Sequence, residues 1–302
     1  MSEVGRGHAI STDVATFEAH RHTLGALAYR MLGDMGRAED IVQEAWLRWQ
    51  ERDVEVEHPR AYLLKIATRL CLNELASARA RREESRSDRL PEPIVDLTEG
   101  GVGSVEGVDQ VSMALLVVLQ RLTPAERAVL LLHDVFELSH ADIAVLVGKS
   151  EPACRQLLRR ARQSVAEEKR VLVAPREEQL RLLRAFVGAV RAGDVDELTK
   201  LLADDAVMIT DGGADGVSLE GAKNLPRPLT GAAKIAAFIG AFARRRGGLL
   251  ELSERQLNGQ PAVLALRDGR AFAAVLLSVA DGKIHHVFLH ADPTRLGHIG
   301  GP

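Results

Sequence analysis

The sequence predicts a multidomain protein, with two all-α helical domains followed by an α+β domain. Three observations predict it. Apolar residues recur at helical spacing through residues 13–83 and again through 110–170. A stretch rich in Pro and Gly, residues 84–109, separates the two. Beyond Pro175 the pattern changes to helices followed by short strand-like runs, over residues 177–296.

The elements follow in order. Phe17, Leu24, Leu27, Ala28 and Met31 space as one helix, and Gly33 and Gly36 bracket a turn. Ala38–Trp49 is a second helix with Ile41, Val42, Ala45 and Trp49 on its apolar side. His58-Pro59 opens a long third helix to about Arg82, striped by Leu63, Ile66, Ala67, Leu70 and Leu75. Residues 84–109 read as a linker, flexible in their Gly-rich half. In the next unit Thr123 is the cap, Pro124 the first helical position and Glu126 the third. After Pro175, helices are expected at about 177–192, 195–202 and 231–245. Strands are expected at 206–210, 262–266, 271–279 and 283–290, forming an antiparallel set. Gly269 and Asp281-Gly282 mark turns between them.

Residues 139–165 read as a helix-turn-helix. Ser139 caps the first helix, Gly148 ends it in a left-handed conformation, and Ser150 caps the second. Ala153, Leu157, Leu158 and Ala161 face inward. Arg155, Gln156, Arg159, Arg160 and Arg162 remain outside, where Arg can grip phosphate or guanine and Gln can pair with adenine. A solvated basic face on an ordinary helical hairpin is the alternative.

The formal charge of −3 excludes a wholly basic surface, so basic patches must be local. Charge is segregated: Glu39, Asp40, Glu44, Glu51, Asp53, Glu55 and Glu57 form an acidic region, and Arg79, Arg81 and Arg82 follow at a helix end. That pattern suits one surface for a basic protein partner and another for nucleic acid; ordinary solvated faces give the same pattern. The two cysteines, Cys71 and Cys154, fit small buried hydrophobes and no metal pattern. No apolar run approaches a membrane span and the N-terminus carries no signal pattern, so a cytoplasmic protein without membrane contact, metal or cofactor is expected.

Residues 38–46, Ala-Glu-Asp-Ile-Val-Gln-Glu-Ala-Trp, resemble the signature helix of region 2 in bacterial extracytoplasmic-function sigma factors of the sigma-70 family. Pro59-Arg60-Ala61-Tyr62-Leu63 through Asn73 and Arg82 looks like the promoter-reading helix that follows. Leu122 to Val165 is similar to region 4 of that family. Residues 177–296 look like the SnoaL-like cone carried by one subgroup. Leu90-Pro91-Glu92-Pro93 matches that subgroup's linker motif, and Asp211-Gly212-Gly213 fits its extension motif until Ala214 and Asp215 depart from it. Residues 291–296 loosely echo its terminal motif.

The resemblance implies a sigma factor that binds core RNA polymerase, at the β′ clamp helices and β flap, and directs it to promoter −10 and −35 elements. Asp40, Gln43, Glu44 and Trp46 would dock on the clamp helices, with Trp46 either an interface anchor or a core side chain. Arg60, Tyr62, Lys65, Arg69 and Asn73 would meet the −10 element, with Arg79, Arg81 and Arg82 on phosphates. Glu151, Arg155, Gln156, Arg159, Arg160 and Arg162 would meet the −35 duplex. Glu151 fits a cytosine contact or a helix N-terminal charge. The C-terminal domain would act in cis by contact with the sigma domains or linker, through Leu90–Pro93 and Asp211–Gly213, with an unidentified small ligand as a further partner. Two rival readings stand beside this. One is a helix-turn-helix regulator that does not use polymerase directly. The other is a ligand-processing enzyme with a DNA-binding appendage, its acid or base inside the cone drawn from Asp204, Asp205, Asp211, His285, His286 and His290. His286 and His290 share a strand face.

Overall fold

The computed structural model describes residues 3–80, 90–95, 111–168, 174–212, 217–218, 222–223, 225, 227–246, 251–297 and 299. They divide into two compact units. One holds the described residues up to 80 together with 119–165; the other holds 90–95, 111–118 and those from 166 onward.

In the first unit, α1 (Glu3–Leu32) ends at Gly33, whose φ of 69° lies in the left-handed region. Asp34 then caps α2 (Met35–Gln50) by accepting from the Arg37 backbone N–H at 2.9 Å. The apolar spacing of α2 buries Ala38, Ile41, Val42, Ala45 and Trp49. The Trp49 indole donates to the Asp13 carbonyl, satisfying its polar edge. Phe17, Leu24 and Leu27 of α1 and Leu63, Leu64 and Ala67 of α3 (Pro59–Ala80) complete this core.

Helix α4 (Met113–Arg121) leads to α5 (Pro124–Asp134), which opens with the expected Thr123–Glu126 capping box. Helices α6 (His140–Val147) and α7 (Glu151–Glu168) flank Gly148, left-handed at φ 65°. Helix α5 packs against α1 and α3, and α6 against α3, so the two helical stretches share one unit. Arg127 joins them. Its guanidinium is buried and donates to the carbonyls of Leu119 and Gln120 in the last turn of α4, of Leu122 just past it, and of Met31 at the end of α1. Helix ends leave such carbonyls without partners, and a cation there completes them. Burial lowers its pKa to about 10. Cys71 and Cys154 are free and buried, and burial pushes the Cys71 thiol up to about 12.

In the second unit, α8 (Arg176–Ala192) and α9 (Val195–Leu201) precede β1 (Leu202–Asp211). Short pieces follow: β2 (Val217–Ser218), β3 (Ala222–Lys223) and β4 (Leu229–Thr230). Helix α10 (Ala232–Arg246) leads to β5 (Glu251–Leu257), β6 (Gln260–Arg267), β7 (Arg270–Ala280) and β8 (Lys283–His290). Helix α11 (Pro293–Leu296) closes the order. The six-stranded sheet runs β4-β1-β8-β7-β6-β5. The expectation of a purely antiparallel set fails at β1, which lies parallel to β8; the helix, hairpin strands and β-pieces between them make that long crossover. Strand β5 was not anticipated, because its exposed Glu251, Glu254 and Arg255 hide the apolar alternation.

Alternate residues of the strands face opposite layers. One face packs Val263, Leu277 and Val287 against Leu182, Leu183, Ile235 and Ile239 of α8 and α10. The other packs Leu264, Ala274, Leu276 and Phe288 against Leu90, Met113 and Leu296. Residues 90–95 are therefore docked on the sheet: Leu90, Pro91, Glu92, Pro93 and Ile94 are all buried. Their apolar side chains gain more from the sheet than from water. Residues 96–110, the Gly-rich half, lie outside the described residues.

Candidate functional site

The helix-turn-helix is built as its sequence requires. The Ser139 hydroxyl accepts from the Asp142 backbone N–H at 3.1 Å, and Ser150 stands in the same relation to Ala153. Cys154, Leu157, Leu158 and Ala161 are buried, which turns Glu151, Arg155, Gln156, Arg159, Arg160 and Arg162 outward. Three of these arginines hold ion pairs: Arg155 with Glu151, Arg160 with Glu126 and Arg162 with Asp134. Burial opposes ionisation of Asp134, yet hydrogen bonds from Arg162 and His133 hold its carboxyl below the usual range. Such exposed pairs are weak, about 1 kcal/mol or less, and DNA phosphates can displace them.

On α2, Asp40 and Gln43 are exposed, and Glu44 pairs with Arg48 at 2.9 Å. Of the two readings of Trp46, the geometry supports neither extreme. The ring is half-buried, packed 4.9 Å from Phe17, with Leu47 exposed beside it. Trp49 is the core residue. On α3, Arg60, Arg69 and Asn73 are exposed and Lys65 is half-buried. Arg60 donates to the Phe136 carbonyl at 3.2 Å. Tyr62 is half-buried, its ring 6.0 Å from that of Trp49. The Arg79 side chain, Arg81 and Arg82 lie outside the described residues.

In the second unit three separate sequence motifs converge. The Arg295 guanidinium donates to the Asp211 carboxylate at 2.9 Å and to the Leu90 carbonyl at 2.7 Å. Asp211 is 2% exposed and Gly212 is buried beside it; Gly213 lies outside the described residues. The Ala291 N–H donates to the Asp211 carbonyl. The docked segment is held further along. Ile94 donates its N–H to the Asn258 side chain and accepts from the Asn258 backbone, while Val95 bridges Leu257. The Met113 N–H donates to Gln260. Buried backbone groups need such partners, and here side chains of the sheet supply them.

Among the described residues, the acids and histidines of the rival enzymatic reading do not line the cavity. The cavity on the α8–α10 face is lined, among the described residues, only by Ala, Val, Leu, Ile, Met and Phe. Asp204 and Asp205 are exposed, and Asp211 is engaged with Arg295. His286 stacks on Phe288, whose face is the opposite one, and His285 does not reach the lining. His290 is buried, and burial followed by the nearby Arg295 charge lowers its pKa to about 3. The strand period explains this placement: Val287 and Leu289 take the cavity side, so 286, 288 and 290 cannot.

Sequence reasoning missed Arg127, Asn258 and the pairing role of Arg295. A lone cation inside the apolar run of α5 and the Asn258-Gly259 turn were the available signals. Asn258 and Gly259 both have positive φ, as a two-residue hairpin turn requires.

A helix-turn-helix with an outward arginine face, an acidic helix with a half-exposed Trp and a third helix with exposed Arg and Asn define a transcription-initiation protein. Comparison with known proteins agrees. The family model for sigma-70 region 2 matches residues 16–81, and that for region 4 matches 112–165. The chain is 36% identical over 296 residues to the ECF RNA polymerase sigma factor SigJ of Mycobacterium tuberculosis, covering 94% of this chain and 93% of that protein. It is also 36% identical over 293 residues to the probable ECF sigma factor SigI of the same species, covering 93% and 94%. The crystal structure of the M. tuberculosis SigJ superposes with a TM-score of 0.72 at 32% identity, covering 93% and 97%. The chain belongs to the extracytoplasmic-function RNA polymerase sigma factors, with a SnoaL-like α+β domain after its sigma regions. Among the described residues no helix is long and apolar enough to cross a membrane.

Proposed function

We propose that this sigma factor docks on core polymerase through the Asp40–Gln43–Glu44–Trp46 face of α2. It reads the −10 element through α3, with Arg60, Arg69 and Asn73 in contact, and the −35 element through Arg155, Gln156 and Arg159 of α7. The C-terminal domain regulates these steps in cis and performs no catalysis. The observation that carries cis control is the docking of Leu90–Val95, the segment between regions 2 and 4, onto the SnoaL-like sheet. A connector held in this way cannot also extend freely between two promoter elements. Within the first unit, Arg60, Arg160 and Arg162 are likewise tied to groups of that unit, and Arg127 joins its two halves. Promoter engagement then exchanges these internal contacts for phosphates and base edges.

Run-off transcription with core polymerase tests the reading. Arg159→Ala lowers promoter-specific transcript roughly tenfold, as loss of a base or phosphate contact worth about 1–3 kcal/mol predicts. Its binding to core polymerase is unchanged. Ile94→Asp, which places a charge in the docked segment, alters output several-fold with polymerase binding intact. Equal loss of polymerase binding and transcript in Arg159→Ala would overturn the −35 assignment, and unaltered output from Ile94→Asp would overturn cis control.

A further inference from the structure

We propose that DNA binding by the helix-turn-helix is coupled to uptake of one proton at His133, which takes over the Asp134 carboxylate when Arg162 leaves it for a DNA phosphate. The proposal rests on the reading above, in which promoter engagement exchanges the Arg162 pair for phosphate. Three elements meet at this point: the end of α5, the start of α6 and the outward side of α7. Asp134 accepts from Arg162 through both carboxylate oxygens, at 3.0 Å and 2.5 Å. The His133 Nδ1 stands 2.8 Å from the Asp134 Oδ1 and 3.3 Å from the Arg162 Nη2. One ring nitrogen thus faces an acceptor and a donor. With the ring proton on Nε2 alone, Nδ1 accepts from Arg162; with a proton on Nδ1 it donates to Asp134.

Charge decides between the two states. While Arg162 is in place, its guanidinium beside Nδ1 opposes a positive ring, and Asp134 already has a bidentate cation. Once Arg162 moves to phosphate, that repulsion is gone and Asp134 keeps His133 as its neighbour. A carboxylate at hydrogen-bond distance favours the imidazolium, so Nδ1 gains a proton from solvent and donates it to Oδ1 as a charged hydrogen bond. Two further fields act in the same direction. His133 lies in the last turn of α5, where the helix dipole favours a cation. The arriving DNA is itself strongly negative. His140, at the start of α6, presents its ring edge-on at 4.6 Å. Two positive rings at that spacing repel, so the histidine pair takes up one proton and not two. The DNA-bound state then holds one proton more than the free state, and affinity rises as pH falls.

Fluorescence-anisotropy titration of the full-length protein with a mixed-sequence DNA duplex of about two helical turns, at low salt, tests it. Phosphate contacts do not depend on sequence, so this probe reports on Arg162. From about pH 7.5 to about pH 6, the affinity of the unaltered chain is expected to rise roughly three- to tenfold more than that of His133→Gln. The glutamine amide can still bond to Asp134 or Arg162 and does not titrate. His140→Gln keeps the pH dependence of the unaltered chain. Arg162→Met binds more weakly, with a salt slope smaller by about one, and loses the excess pH dependence, since its His133 takes the proton before DNA arrives. Ring nitrogen shifts of His133 in the unaltered chain read the proton directly: duplex added near neutral pH is expected to protonate Nδ1. Equal pH dependence in the unaltered chain and His133→Gln, an excess slope lost in His140→Gln instead, or a His133 ring unchanged by duplex would each overturn the proposal alone. An unchanged salt slope in Arg162→Met would overturn the exchange of Arg162 for phosphate, and the proposal with it.

Discussion

On one face of the six-stranded sheet, Ala274, Leu276 and Phe288 meet Leu90, Met113 and Leu296, and the charged pair Asp211–Arg295 locks the docked segment in place. On the other face, one residue along the same strands, Ala273, Val275 and Val287 border an apolar cavity. The first face contains polar groups aimed at particular backbone atoms: Arg295 at Leu90, Asn258 at Ile94 and Gln260 at Met113. Among the described residues, the cavity lining on the second face contains none. A strand's period of two permits this division, because each inward position belongs wholly to one side. The difference teaches that the domain fixes one segment of its own chain with directional bonds and leaves the opposite side adaptable to whatever fills it. Directional bonds confer register; apolar packing confers energy without much orientation.

The largest test of this contrast is Arg295→Ala. It removes the guanidinium from a carboxylate that is 2% exposed and the donor to the Leu90 carbonyl. Breaking a buried pair from one side costs about 3–5 kcal/mol. Urea unfolding followed by a probe in the second unit should show that loss, together with faster proteolysis near Leu90. A loss below about 1 kcal/mol would mean that the pair is not what fixes the segment.

Next in size is a pair of neighbouring substitutions. Ala274 is fully buried against the docked segment's layer, so Ala274→Val overpacks and should cost about 1–3 kcal/mol. Ala273→Val points into the cavity and should change stability by less than about 1 kcal/mol, in either direction. Thermal melts of the two variants read the difference; equal penalties would erase the distinction between the faces.

The smallest effect is in pH. His290 lies on the directional face with its pKa lowered to about 3, first by burial and then by Arg295. The unfolded chain takes up a proton near the ordinary histidine value of about 6.5, and the folded chain does not. The unfolded state therefore binds more protons between those two values. Stability is full above about pH 6.5 and falls as pH drops below it, by at most about 1.4 kcal/mol per unit. Comparing the unaltered protein with His290→Leu between pH 7 and 5.5 isolates this slope. A parallel pH dependence in both would assign the effect to other groups.

Much of the helical architecture was legible from local chemistry. Thr123, Ser139 and Gly148 adopt the cap and turn geometries their types favour, and the outward set on α7 follows directly from its apolar stripe. His286 and His290 share a strand face, as alternation requires, and that face is the one opposite the cavity. Alternation identifies which residues go together and does not identify which layer they meet. Similarly, Pro91 and Pro93 signalled a break in regular structure, which holds, but not that this break is buried. Proline limits backbone shape and says nothing about burial.

The sequence by itself determined most of the helices, the helix-turn-helix and its basic face, the turns at Gly269 and Asp281-Gly282, and the family. These rest on contacts within a few residues, or on motifs whose order survives without coordinates. Only the tertiary structure decided that β1 joins β8 in parallel, that Arg127 completes carbonyls at two helix ends, and that Leu90, Asp211 and Arg295 meet. Leu90 and Arg295 are separated by 205 positions along the chain. Pairings at that distance are selected by which apolar layer is left uncovered and which buried polar group still needs a partner, and both quantities exist only once the sheet has formed.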